Sequence, residues 1–322
     1  MPASFQDILN SRIFKFTVGE KVDGHATEFF VHEEAIVQLS RPLEALMRGG
    51  MSESQAGCTV WDDVSKETFE RFVQFAYTGD YTVPVPTYEV KRRDRSDSLE
   101  EILRKLSIED MKKLKEKSSG GQGVIEPLIE PPLPGVTPEP AEPALAPPLP
   151  YQPLGPEPYL GSRIFKYPER TWQLSESDFN QLVFPLLALR NNYELTCEPT
   201  EWHNPCQDYS NLLISHAALY ILGDFRLIDS LKALALNKLH KTLSVFRLSI
   251  VNLQDVIDLT IYVYAEEGGE EGSNGEIGAL RGLVCLYMAI NSLALSLDDR
   301  FLELLGEGGQ FVKDFFRFEV RR

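Results

Sequence analysis

Two short apolar runs open the chain, IFKFTV over residues 13 to 18 and EFFVH over residues 28 to 32, with a polar stretch containing Gly24 between them. Runs of that length on either side of a turn-rich connection predict a β-hairpin. From Glu33 the apolar spacing becomes helical. Ala35, Ile36 and Leu39 make one stripe, and Leu43, Leu46 and Met47 make a second after Pro42, a residue suited to a helix's first turn. GCTVWDDV then reads as a third strand. Ser65 is placed to cap a helix that carries Phe69, Phe72, Val73 and Ala76 on one face and is closed by Gly79. The order predicted for residues 1 to 90 is strand, strand, helix, helix, strand, helix.

The pattern then changes. Residues 91 to 118 are strongly charged, and Leu99, Ile102, Leu103 and Leu106 follow helical spacing behind a capping-box pair, Ser98 and Glu101. Over residues 119 to 158 proline recurs every few positions, which removes backbone donors and biases each preceding residue toward extended geometry. This is expected to be a disordered or extended insertion, which continues in a different composition over residues 159 to 208. Helical periodicity returns at residues 209 to 243. There Leu213, Ala217, Tyr220 and Ile221 share one face, Leu231, Leu234, Ala235 and Leu239 share another, and Gly223-Asp224 is expected to turn the chain between them. Residues 244 to 322 read as a helical extension of three apolar-striped segments, the first two separated by the loop EEGGEEGSNGE.

An internal echo, SRIFKF at residues 11 to 16 and SRIFKY at residues 162 to 167, raises the question of a duplication. The sequence following the second copy shares nothing with that following the first, so the echo reads as chance or as an edge-strand-like segment of the insertion.

The 322 residues carry a net charge of -16, with only residues 91 to 117 net positive. An acidic surface repels phosphate backbones and argues against nucleic-acid binding. The N-terminus mixes charged and polar residues among its apolar ones, unlike a secretion signal, and no run approaches the length of a membrane span. A cytoplasmic or nuclear protein is expected. The run KRRDR at residues 91 to 95 reads either as a nuclear-import patch or as a solvated helix face.

The segments FFVHEEAIVQLSRPLEALMRGGMSES and VWDDVSKETFERFVQFAYTGDY together resemble a BTB/POZ domain. The resemblance rests on Phe30 and His32 in an F-x-H element, on Ile36 and Ser40 after it, on Asp63 with Val64, on Phe69, and on the closing Tyr77-Thr78-Gly79. It implies an α+β fold in which a small sheet is capped by helices, with residues 209 to 243 as the closing helix pair, after the proline-rich insertion and in the fungal style. It also implies a protein–protein interaction module without catalysis or cofactor. His32, at a strand-to-helix junction, is expected to be a structural hydrogen-bonder. In family members that recruit cullin-3, a hydrophobic-x-Glu motif lies between the second helix and the third strand. Met51-Ser52-Glu53 matches it by type and place, which implies a substrate adaptor for a cullin-3 ubiquitin ligase. The alternative is a BTB scaffold or transcriptional co-regulator. Many members carry an acidic residue at the start of the first strand that shapes their dimer. Here that place reads Asn10-Ser11-Arg12-Ile13, so homodimer and hetero-oligomer both stay open.

Other chemistry is thinly represented. The sequence holds no Gly-rich phosphate loop, GxSxG or HExxH motif, and only five histidines, so it is not expected to be an enzyme. Cys58, Cys197, Cys206 and Cys285 form no CxxC pair, and a reducing compartment keeps such thiols free. Cys197, His203 and Cys206 with His216 offer zinc's preferred atoms at the wrong spacing, and read instead as buried thiols and a surface histidine. No metal site is expected.

Overall fold

The computed structural model describes residues 4–19, 26–86, 175–187, 207–249, 252–266 and 277–319. The chain divides into a unit made of Met1–Val90 with Leu160–Arg322 and another made of Lys91–Tyr159, and every described residue belongs to the first. The charged segment at residues 91 to 118, the proline-rich stretch, the second copy of the SRIFK echo and most of the EEGGEEGSNGE loop lie outside the described residues.

A short helix, α1 (Phe5–Leu9), precedes strand β1 (Ile13–Val18), which pairs antiparallel with β2 (Thr27–His32) and parallel with β3 (Cys58–Trp61). The sheet order is β2-β1-β3. Between β2 and β3 the chain forms α2 (Glu33–Val37), α3 (Arg41–Arg48) and α4 (Ser52–Ala56), and after β3 it forms α5 (Lys66–Thr78). Strand alternation decides what the sheet buries. Phe14, Phe16 and Val18 of β1 point inward with Val31, whereas Ile13 and Phe30 point out. Phe30, weighted in the F-x-H element, is 65% exposed. Its neighbour Phe29 makes the inward contact, with its ring centroid 4.8 Å from that of Phe69. Phe69 also meets Phe16 at 5.0 Å and Trp61 at 5.6 Å, so the first face of α5 closes over an aromatic layer on the sheet. The two ends of α5 follow their sequence signals. Ser65 Oγ accepts from the Thr68 N–H at 3.2 Å, and Gly79 ends the helix at φ 78°, a conformation that glycine adopts without strain.

The helix pair after the insertion is α7 (Ser210–Phe225) and α8 (Asp229–Val245), preceded by the short α6 (Glu176–Asn180). Gly223-Asp224 lies inside α7, and the chain turns at Arg226 to Ile228, with Leu227 at φ 54°. The glycine serves packing. A Cβ on Gly223 would stand 2.9 Å from Lys232 Cγ and 3.1 Å from the Lys232 backbone nitrogen, so its absence lets α8 approach α7. Residues 175–187 are not merely insertion: Phe179 and Phe184 are buried, and the Phe179 ring lies 5.1 Å from His240 of α8. The extension follows as α9 (Leu253–Glu266), α10 (Ala279–Ile290), α11 (Ser292–Leu295), α12 (Asp299–Glu307) and α13 (Gly309–Glu319). It is joined to the helix pair by polar as well as apolar contacts. Asp255 of α9 accepts from the Tyr209 N–H at 3.1 Å and from the Ser210 hydroxyl at 3.0 Å, satisfying donors at the start of α7. The result is a mixed α+β fold with a small three-stranded sheet and a mostly helical C-terminal region. Among the described residues, no helix is long and apolar enough to cross a membrane.

Candidate functional site

The turn between α3 and β3 is set by two glycines in the left-handed region, Gly50 at φ 76° and Gly57 at φ 67°. Between them Met51 is the N-cap of α4, so Ser52 and Glu53 begin a one-turn helix, an element that the strand and helix order predicted from the sequence does not include. Met51 projects from the surface with 67% of its area exposed. The Ser52 hydroxyl donates to the Glu53 carboxylate at 2.9 Å. The residue's own backbone N–H, and after it the Ser52 bond, hold the Glu53 carboxyl below the usual carboxylate range. The three residues thus present an adaptable thioether next to an ionised acid, a pairing suited to a protein surface that offers an apolar pocket and a donor.

The support beneath this turn comes from residues far apart in the chain. Glu33, at the start of α2, is only 6% exposed and accepts from Arg12 Nε at 2.7 Å and from Arg48 Nε at 2.6 Å. Burial alone would raise its pKa, but the two guanidinium groups outweigh it and hold the carboxyl below its ordinary value. Arg48 also pairs with Glu34. Arg12 uses its remaining nitrogens on backbone: one terminal nitrogen donates to the Ser54 carbonyl at 3.0 Å and the other to the Met47 carbonyl at 3.0 Å. The one available signal was the arginine itself, standing where the resemblance called for an acid.

His32 and Tyr77, drawn from the two ends of the resemblance, meet. The His32 backbone N–H donates to the Tyr77 hydroxyl at 2.9 Å, and that hydroxyl lies 2.8 Å from His32 Nδ1. This is the hydrogen-bonding role expected of His32, and it fastens the end of β2 to the end of α5. Ser40 caps α3 and its hydroxyl donates to the Arg226 carbonyl at 2.9 Å, reaching the turn of the late helix pair. Asp63 accepts from Arg226 at 3.2 Å, and the Arg226 guanidinium lies 4.1 Å from the Trp61 ring centroid.

Of the four zinc-type residues, Cys197, His203 and Cys206 lie outside the described residues. His216 is buried in α7 against the Tyr81 hydroxyl, 2.7 Å from Nδ1. Among the described residues, no group of three or more His, Cys, Asp or Glu is placed to hold a metal ion. A cleft of about 710 Å³ runs between α5 and α7, with Thr68 and Arg71 on one wall, Ile214, Ala218 and Phe225 on the other, and Tyr262 of α9 also lining it. Comparison of the chain with protein families, with curated proteins and with solved structures gave no match.

Proposed function

We propose that the chain is a BTB/POZ protein that works by binding other proteins and has no catalytic role, and that Met51, Ser52 and Glu53 are its contact for the N-terminal region of cullin-3. Support for the fold reading comes from the sheet order β2-β1-β3, from α2, α3 and α5 flanking that sheet, and from α7 and α8 joining the same core after the insertion. Support for the site comes from one observation above the rest: Met51 is two-thirds exposed, next to an ionised Glu53, on a turn fixed by glycines and by Arg12. An exposed methionine offers a flexible, polarizable apolar contact that can adapt to a partner's surface.

The test is binding of the purified chain to the cullin-3 N-terminal region, compared with the double variant Met51→Ala, Glu53→Ala. Loss of interface anchors weakens binding by about 1 to 4 kcal/mol, whereas changes on an idle surface stay within about 0.5 kcal/mol. A melting temperature equal to wild type shows that the variant's fold is intact. Absence of wild-type binding removes the ligase reading, and equal binding by the variant removes the site.

A second reading, a scaffold or transcriptional co-regulator that self-assembles, is favoured by a separate feature. Phe5 and Leu9, four residues apart on α1, and Ile13 of β1 all stand about half to two-thirds exposed, apolar surface suited to covering by another chain. Sedimentation at micromolar concentration with Phe5→Asp and Leu9→Asp separates this reading from a monomeric adaptor.

A further inference from the structure

We propose that Arg12 is the positioning residue of the Met51–Glu53 surface, holding the approach to the turn and its exit at once; this rests on reading that surface as a partner contact. The planar guanidinium meets three acceptors with three separate nitrogens: Glu33 through Nε at 2.7 Å, and the carbonyls of Ser54 and Met47, each at 3.0 Å, through its two terminal nitrogens. Met47 lies in the last turn of α3 and Ser54 in the middle of α4, so the two carbonyls bracket the Gly49 to Glu53 segment. Both glycines in that bracket, Gly49 and Gly50, leave the chain free to take other backbone angles when nothing holds it. The segment's own side-chain ties are local: Gln55 Nε2 donates to the Gly50 carbonyl at 2.9 Å and the Ser52 hydroxyl to the Glu53 carboxylate at 2.9 Å, and neither reaches back to the sheet. The buried Glu33 fixes the third corner, because Arg48 grips its other oxygen and keeps the carboxylate oriented toward Arg12.

The consequence is preorganisation. A contact turn that is already held in one geometry loses less freedom when a partner binds, so its affinity is higher for the same contacts. Lysine cannot take this place. It retains the charge and can keep the pair with Glu33, but its single nitrogen cannot reach acceptors spread around three nitrogens of a fork.

The test uses the full chain and the variant Arg12→Lys, with Arg48→Met as a second variant that removes a Glu33 partner but leaves both carbonyl bonds. Amide exchange is read by mass spectrometry over residues 52 to 57, which hold the Gln55 and Gly57 amides bonded to Met51 and Glu53 carbonyls at 3.0 and 2.8 Å. The expected result is exchange at least about tenfold faster there in Arg12→Lys, with β1 and β2 unchanged and the melting temperature within a few degrees of wild type. Binding to the cullin-3 N-terminal region is expected to weaken about fivefold or more, with Met51 and Glu53 untouched. Unchanged exchange over residues 52 to 57 overturns the proposal. So does an equal acceleration in β1, β2 and the turn, or an Arg48→Met variant that loosens the turn as much as Arg12→Lys does. Absence of wild-type cullin binding overturns the ligase reading alone, since the exchange arm decides the role of Arg12 without any partner.

Discussion

The Tyr81 hydroxyl lies 2.7 Å from Nδ1 of His216, joining positions 135 residues apart inside the core. Tyr81 follows the glycine that ends α5, and His216 is in the middle of α7. The segment that ends α5 and the late helix pair therefore share a buried polar contact, and Lys238 of α8 extends it by donating to the Tyr81 carbonyl at 2.7 Å. Segments far apart in the chain can be held together at little added entropic cost, because closure entropy grows only slowly with loop length.

The histidine in this contact makes stability depend on pH. Burial, with the positive charges of Lys238 and Arg71 adding to it, lowers the His216 pKa from 6.5 to about 3. The folded protein thus keeps the ring neutral while the unfolded chain protonates it below about pH 6.5. Stability from this residue is whole above pH 6.5 and is lost as the pH falls toward 3, at up to about 1.4 kcal/mol per pH unit. His240, lowered chiefly by burial, acts in the same direction. Urea unfolding between pH 7 and 4.5 is expected to show a shallower pH slope for His216→Gln than for wild type. Identical slopes would mean that the ring is not held neutral.

Periodicity exposed most of the elements in advance, because an apolar stripe is a local signal. The face carrying Phe69, Phe72 and Ala76 is legible from spacing alone, and so is the stripe of α8. The helices α1 and α4 are not, since each buries a single residue, Ile8 or Ser54, and so shows no apolar stripe, whereas the equally short α2 buries Ala35, Ile36 and Val37. Phe29 and Phe30 are adjacent aromatics, and only strand register tells which one faces the core. The arginine clamp under Met51 joins residues 21, 35 and 42 positions from Arg12, a geometry for which no local spacing exists. Met51, Ser52 and Glu53 themselves were legible only through resemblance; their exposure and the helix they begin come from the structure.

Gly223, a turn-forming residue type between two helical stripes, is a packing residue inside α7, which reverses the sign of an otherwise ordinary substitution. In an exposed helix, Gly→Ala stabilises by about 1 kcal/mol through backbone entropy. Here the new methyl would stand 2.9 Å from Lys232 Cγ and 3.1 Å from the Lys232 backbone nitrogen. The side chain can yield, but the backbone of α8 cannot without moving the helix, and overpacking of that kind costs about 1 to 3 kcal/mol. Gly223→Ala is therefore expected to be destabilising overall, by about 1 to 2 kcal/mol in chemical denaturation. A stabilised variant would place the α7–α8 approach farther apart than described.

The buried pair of Lys238 and Asp80 gives the sharpest test of how the late helices close the core. Lys238 Nζ donates to Asp80 Oδ1 and stands 4.2 Å from the Tyr81 ring centroid, and the same Asp80 oxygen accepts from the Tyr81 N–H at 2.7 Å. Side-chain exposures are 7% for the lysine and 12% for the aspartate, so solvent screens the pair weakly. Removing one member leaves a nearly buried charge without its counterion, which costs about 3 to 5 kcal/mol, whereas replacing both with neutral groups of similar size costs much less. Lys238→Met is expected to fall in that range, and Lys238→Met with Asp80→Asn to recover a large part of the loss in a double-mutant cycle at pH 7. Lys238→Met also removes one of the charges that keep His216 neutral, so its His216 ring should titrate at higher pH than in the wild type. A single-variant loss under about 1 kcal/mol would show that Asp80 reaches water in the folded protein, and that the late helices close the core without help from this ion pair.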